Sequence, residues 1–301
     1  MSKIAKRKFS TALPVPVVGC GMQGADCLAL AVSGRPGGWF IHWARQGGLI
    51  DPAFSRDLSR LVGRSHLWTP PTDDMAAPMS VACRIDTEGV GGKKLGRSES
   101  ADALFTQIRS RLEKVTADAL VICGFEMESP DRTESILIGG GIRKSLIQED
   151  YRNWRREMGI LNPHIASSGL ALANIYLTLY AHEPEPVARL VVLEGRMTTH
   201  AVLIDGWKFV DGLEFGMLEQ EPRVGSDLIE QWRGYFAANH VLTSPPKPLV
   251  IPLDGGVGRA EDVWMPLESP MVAMAPGVED VVSRHPDLAA MAFGMALQGG
   301  C

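Results

Sequence analysis

Glycines and hydroxyls at three places in this 301-residue chain have the types and spacing to hold an anion. Gly195, Thr198 and Thr199 fall in the stretch 194–199, between apolar runs at 190–193 and 201–204. A glycine-bearing turn of this kind can aim backbone N–H groups at a phosphate, and the threonines add hydroxyl donors. Gly19, Gly21 and Gly24 form a second such stretch, after an apolar run at 15–18. Gly255 and Gly256 follow a third run at 249–253. Each group also has a plainer reading. Tight turns need glycine for their backbone angles alone, and threonines favour strands.

Phosphate chemistry needs hard oxygen ligands for a metal as well. The turns offer few. Glu194 and Asp254 are the carboxylates inside them, and both read as solvated turn acids. Asp26 is near the first stretch but displaced from it by several residues. His164 and His200 have no serine or cysteine at a recognisable spacing, so they read as structural histidines. Gly139-Gly140-Gly141, ahead of a charged helix, could be an anion-binding helix start or a hinge. It is not a Walker loop, because no G-K-[ST] ending follows. Arg152, Arg155 and Arg156 with Trp154 read as a basic, aromatic-bearing helix face, either solvated or set against an acidic partner.

The elements that must position these residues are legible in the periodicity. Runs at 190–193, 201–204 and 207–211, with Asp205-Gly206 between the last two, form a β-meander. Runs at 15–18, 27–32 and 39–44 form another, whose first turn is rich in glycine. Helical spacing covers 52–61, 100–115, 143–158, 167–181, 226–239 and 286–299. Further strands fall at 79–85, 119–125, 136–139, 160–164 and 249–253, and 63–77 reads as loop. Glu183-Pro184-Glu185-Pro186 is the strongest break. The order meander, helix, α/β insertion, connecting helix, then meander, helix, strand, helix is that of an α/β protein with two similar halves. The expected division is 1–165 for the first half, with an α/β insertion at about 65–145. The connecting helix and linker take 166–186, and the second half 187–301.

Bulk composition narrows the function classes. Hydrophobic residues make up 45% of the chain, and the net charge is −5. The balance suits a soluble globular protein and argues against reading nucleic-acid backbones, which needs a basic face. The five cysteines (Cys20, Cys27, Cys83, Cys123, Cys301) show no metal spacing and read as reduced thiols. The basic start, MSKIAKRKFS, fits neither a signal peptide nor a membrane helix; it reads as a solubilising tail, with contact to an anionic membrane surface as the alternative.

With these motifs in place, the chain resembles the actin/hexokinase/Hsp70 (ASKHA) superfamily, and within it the PilM family and the cytoplasmic domain of GspL. VGCGMQGADCLAL at 18–30 resembles the family's first phosphate loop. VVLEGRMTTHAV at 191–202 resembles the second, D-I-G-x-x-x-T. VIPLDGGV at 250–257 resembles the Gly-Gly turn that lies against adenosine, and AFGMAL at 292–297 the closing helix. Residues 160–179 resemble the link into the second half. The resemblance implies an actin-like, duplicated fold of ribonuclease-H-like halves around a cleft. It also implies nucleotide contacts from Gly21, Gly24, Gly195, Thr198, Thr199, Gly255 and Gly256 to ATP or ADP with magnesium. The departures are specific. The family's first-loop aspartate falls at Gly21 and its second-loop aspartate at Leu193. Its first-loop hydroxyls are replaced by Met22-Gln23-Gly24-Ala25.

The expected function is therefore an actin-like cytoplasmic adaptor of a type IV pilus or type II secretion-type assembly. It would lie under the inner membrane and hold the short cytoplasmic tail of a bitopic, PilN-like partner. The surface expected to do so is the first half, around 15–44 and 79–125. Nucleotide would bind weakly or not at all, with little or no hydrolysis: two lost metal-positioning groups, at about 3 kcal/mol each, remove most of the electrostatic stabilisation. An active kinase or ATPase on the same fold, and a scaffold with an empty cleft, are the alternatives.

Overall fold

The computed structural model describes residues 4–6, 16–63, 65–70, 83–86, 106, 120–128, 135–180, 187–195, 198–216, 226–253 and 263–299. The first part runs β1 (Ile4–Lys6), β2 (Val17–Gln23), β3 (Asp26–Arg35), β4 (Gly38–Gly48), α1 (Pro52–Val62) and β5 (Leu67–Thr69). It continues β6 (Cys83–Asp86), β7 (Leu120–Glu128), β8 (Ser135–Arg143), α2 (Lys144–Arg156), β9 (Pro163–Ile165) and α3 (Ser168–Tyr180). The rest is β10 (Ala188–Leu193), β11 (Thr198–Asp205), β12 (Lys208–Gly216), α4 (Ser226–Asn239) and β13 (Lys247–Ile251). A 3-10 turn (Pro266–Glu268), β14 (Val272–Met274), α5 (Val278–Arg284) and α6 (Pro286–Gly299) complete it.

Two sheets repeat one topology. The first has the order β14-β4-β3-β2-β5-β9 and the second β12-β11-β10-β13. In each, an antiparallel meander is extended by a parallel strand beside its first member, β5 next to β2 and β13 next to β10. This is the duplicated α/β architecture expected from the sequence. A further four-stranded sheet has the order β1-β7-β8-β6, with β1 from the start of the chain on its edge.

Both main sheets are covered on both faces, so their strands read as continuous apolar runs rather than alternating ones. In β3, Leu28, Leu30 and Val32 face the central core. Cys27, Ala29 and Ala31 face a second cluster with Phe54, Leu58 and Trp154 from α1 and α2. In β10, Val191 and Leu193 point to the centre, while Leu190 and Val192 meet Trp232 and Phe236 of α4. Helix α1 shows how local signals set an element. Asp51 caps it by accepting from the Ala53 N–H at 2.9 Å, Pro52 opens it, and Phe54 and Leu58 are its buried stripe.

The chain crosses over between halves. Helix α3 follows the first sheet but packs on β10, β11 and β12, and α6 returns from the C-terminal part to pack on β2, β3 and β5. The two helices touch each other in the middle. Gly294 allows this: a Cβ there would stand 2.5 Å from the Ala171 carbonyl oxygen. Small residues along α6 are what let it fit between a sheet and a helix. Strand β14 likewise joins β4 of the first sheet. The stretch 187–301 is thus one segment of sequence whose last three elements, β14, α5 and α6, lie on the first sheet.

Several local expectations change. Gly19 and Gly21 are not turn residues; β2 continues through them to Gln23, and the turn is at Gly24, with φ of 59°. Gly139-Gly140-Gly141 lies inside β8, paired with β7, and is neither a hinge nor a helix start. Residues 67–69, expected as loop, form β5, and β14 and α5 were not legible in the periodicity. Trp154 is 1% exposed in the core beneath α2, so Arg152, Arg155 and Arg156 form the exposed face without it.

Candidate functional site

Two hairpins converge on the candidate site, one from each sheet. The first joins β2 to β3 through Gly24. The second joins β10 to β11 through Glu194 and Gly195, with residues 196–197 outside those described.

Gly21 is on the strand leading to the first turn, facing α6. A Cβ on it would come within 2.0 Å of the Leu288 carbonyl oxygen, and one on Gly19 within 1.9 Å of that of Ala292. These two glycines therefore have a packing reason: the helix backbone lies directly on the strand. Gly24 is open, with nothing within 4 Å of the place a Cβ would take, and needs glycine for its left-handed angle.

Thr198 and Thr199 are the first residues of β11 rather than part of the turn. They are 6% and 0% exposed. Neither hydroxyl oxygen has a hydrogen-bond partner among the described residues. Glu194 is not a solvated acid. It is 4% exposed, and one carboxylate oxygen lies 3.5 Å from the Leu253 N–H. Burial follows from its position at the end of β10, held by its own N–H to the Ile251 carbonyl at 3.0 Å. Leu193 is 1% exposed in the central core. Asp254, Gly255 and Gly256 lie outside the described residues.

Gln23 brings the two hairpins together. Its side-chain N–H donates to Asp287 at 2.7 Å. The same nitrogen is 2.8 Å from where a Cβ on Gly195 would be. Asp287, in the first turn of α6, is 4% exposed. The sequence pattern did not single out this pair, since 264 positions separate Gln23 from Asp287.

Among the described residues, the turns do not offer a magnesium ion a set of free oxygen ligands. Gly21 has no oxygen ligand and lies under α6, Leu193 is apolar and buried, and the carboxylates of Glu194 and Asp287 are already in polar contacts. Among the described residues no three His, Cys, Asp or Glu side chains gather as a metal would need. Asp26 opens β3 opposite Gln23, and does not take the place of the missing aspartate at Gly21.

Elsewhere, His164 pairs with His66, ring nitrogens 3.2 Å apart, and stacks on Trp68 at 4.7 Å between centroids. Burial, then the neighbouring His66, lowers the His164 pKa. His200 is buried in β11. A groove of about 390 Å³ lies along β14, floored by Leu267, Val272, Met274 and Val282, with exposed Glu268 and Glu279 beside them.

No family model and no curated protein matches this chain. Solved structures do. A chain of a PilM-PilN type IV pilus biogenesis complex is 14% identical, with 96% of this chain and 100% of that chain covered and a TM-score of 0.64. A Bacteroides thetaiotaomicron protein with actin-like ATPase fold and unknown function is 7% identical, over 92% and 95% of the chains, with a TM-score of 0.43. An inorganic polyphosphate/ATP-glucomannokinase from Arthrobacter sp. strain KM is 15% identical, over 94% and 99%, with a TM-score of 0.39. The chain thus shares the fold of the chain from the PilM-PilN complex over nearly its whole length.

Proposed function

We propose that this protein is an actin-like adaptor of a pilus- or secretion-type assembly, holding the short cytoplasmic tail of a bitopic inner-membrane protein. One observation carries the reading: the full-length likeness in fold to a chain from the PilM-PilN type IV pilus biogenesis complex. It comes together with a pair of phosphate-loop positions that lack the carboxylates an ATPase needs. The partner keeps the chain at the inner face of the membrane. Among the described residues, no helix is long and apolar enough to cross a membrane.

The groove along β14 supports this reading. Cytoplasmic segments next to a membrane span are rich in Lys and Arg. Apolar side chains of such a tail suit the Val272, Met274 and Val282 floor, and its cations suit Glu268 and Glu279. Methionine in the lining adapts to side chains of irregular shape. Nucleotide is weakly held or absent, and hydrolysis is absent or very slow.

The test is a fluorescence-anisotropy titration with labelled peptides. They copy the cytoplasmic tails of single-span proteins from the host's pilus and secretion assemblies. Saturable binding of one tail at micromolar concentration is the expected result. Failure of every tail to bind would overturn the adaptor reading. Magnesium-dependent phosphate release, abolished by Glu194→Gln, would favour an enzyme instead.

A further inference from the structure

We propose that the outer face of α1 and α2 docks on the anionic surface of a lipid bilayer. Arginines meet the headgroups, and two exposed aliphatic residues, Ile50 and Leu161, enter between them. The inference rests on charge and exposure at these two helices and does not depend on the adaptor role.

The helix period sets the face. In α1 the buried stripe is Phe54 and Leu58. Arg56 and Arg60 fall on the opposite side and are exposed. Helix α2 repeats the pattern: Asp150 and Trp154 are buried, and Arg152 and Arg156 are exposed opposite them. Phe54, Leu58 and Trp154 cover the same side of β3, in one cluster with Cys27, Ala29 and Ala31. Both arginine pairs therefore point away from the sheet, to one outer side. The Ser55 hydroxyl donates to the Glu157 carbonyl at 3.2 Å, which brings the start of α1 against the end of α2. The two aliphatic residues flank that junction. Ile50 directly precedes the Asp51 cap and is 90% exposed. Leu161 follows α2 and is 70% exposed, its carbonyl accepting from the Arg155 Nε–H at 2.8 Å.

The chain as a whole carries −5, yet this face is basic. Arg56, Arg60, Arg152, Arg155 and Arg156 are exposed on the two helices, against Glu149 and Glu157. Asp57 is already paired with Arg45. Screening confines repulsion from the rest of the chain to about 8 Å at physiological salt, so the local surface governs docking rather than the net charge. Guanidinium groups suit phosphate headgroups, because their planar donors meet phosphate oxygens two at a time. Each basic residue near an anionic leaflet adds to binding. An exposed aliphatic side chain gains by leaving water for the acyl boundary. A protein interface would offer a contiguous apolar patch, whereas here single aliphatic residues stand beside helix ends among arginines. Such residues have no ring on which a nucleic-acid base can stack.

Flotation of the full chain with lipid vesicles tests this. Vesicles of phosphatidylglycerol and phosphatidylcholine should carry the protein up the gradient, and vesicles of phosphatidylcholine alone should not. Raising the salt to about 0.5 M should release it. Arg152→Glu with Arg156→Glu should lower the partition coefficient about tenfold or more, and Ile50→Ser with Leu161→Ser about fivefold or more. Thermal melts check that the variants fold; the single changes Arg152→Glu and Ile50→Ser stand in where a pair does not. Two controls guard the assignment to this face. Arg284→Glu, exposed on α5, and Arg7→Ser with Lys8→Ser in the basic start should each leave flotation unchanged. No flotation with anionic vesicles would overturn the proposal, as would a loss in either control equal to that of the arginine pair. Arginine-dependent binding to poly-L-glutamate, with no effect of Ile50→Ser and Leu161→Ser on vesicles, would assign the face to an acidic protein and likewise overturn it. Tail-peptide titration with the same α1 and α2 variants judges the adaptor reading separately, since none of them touches the groove along β14.

Discussion

Gly21 lies directly beneath Leu288, so close that a Cβ on the glycine would stand 2.0 Å from the leucine carbonyl oxygen. The contact joins the start of the chain to its last helix. It gives a packing cause for glycine at the position where the resemblance read from the sequence expects an aspartate. An aspartate cannot stand there without moving α6.

Gly21→Ala should destabilise by about 3 kcal/mol through this backbone overlap. Gly24→Ala should cost only about 1 kcal/mol, because its methyl group meets open space and the penalty is the left-handed angle alone. Urea unfolding of the two variants gives the comparison. Equal losses would show that α6 does not press on β2 as described.

Thr199→Val should raise stability by about 1 kcal/mol. Its hydroxyl is fully buried without a partner among the described residues, and valine keeps the shape while removing the desolvated oxygen. A loss of stability in chemical denaturation would reveal a partner for that hydroxyl.

Stability should fall on mild acidification, and the His66–His164 pair should account for part of it. Burial and the neighbouring imidazole lower the His164 pKa below its ordinary value of 6.5. The unfolded chain then takes up a proton at a higher pH than the folded one. The contribution of this group is therefore intact above 6.5 and is lost as pH falls from there through the lowered folded value. Tm measured from about pH 7.5 to 5 should flatten in His164→Gln. An unchanged slope would assign the acid sensitivity elsewhere.

Cys20 should resist alkylation in the folded protein. Burial, followed by its hydrogen bond with Cys27 and the proximity of that thiol, pushes the Cys20 pKa well up, so the reactive thiolate is scarce. Mass-spectrometric mapping after iodoacetamide, with and without denaturant, should find Cys20 modified only when the chain is unfolded. Rapid labelling of the native protein would contradict the packing of β2 and β3 against α1 and α2.

Glu268→Lys with Glu279→Lys should weaken capture of a basic tail peptide about tenfold or more at low salt, with less effect at high salt. Both residues are exposed, so the fold should tolerate the change. An affinity that does not respond would move the tail to another surface.

The sequence by itself determined the duplicated architecture. Paired apolar runs, Asp205-Gly206, and the cap and stripe of α1 are local signals whose physics acts within a few residues. They specify both meanders, most of the helices and the family resemblance. The same locality explains where sequence and structure part. A glycine needed for a turn and one needed beneath a helix have the same sequence signature, so nothing near Gly19 and Gly21 distinguishes a loop from a strand with α6 lying on it. Gly139-Gly140-Gly141 is ambiguous for the same reason, its strand pairing with β7 being invisible along the chain. Three-residue strands such as β5 and β14 are too short for periodicity and exist because a neighbouring strand supplies their hydrogen bonds. Only the tertiary structure buried Glu194, paired His66 with His164, and set Gln23 between Asp287 and Gly195. Those contacts join residues about 60 to 264 positions apart, and their energies come from desolvation and close approach, which no local spacing encodes.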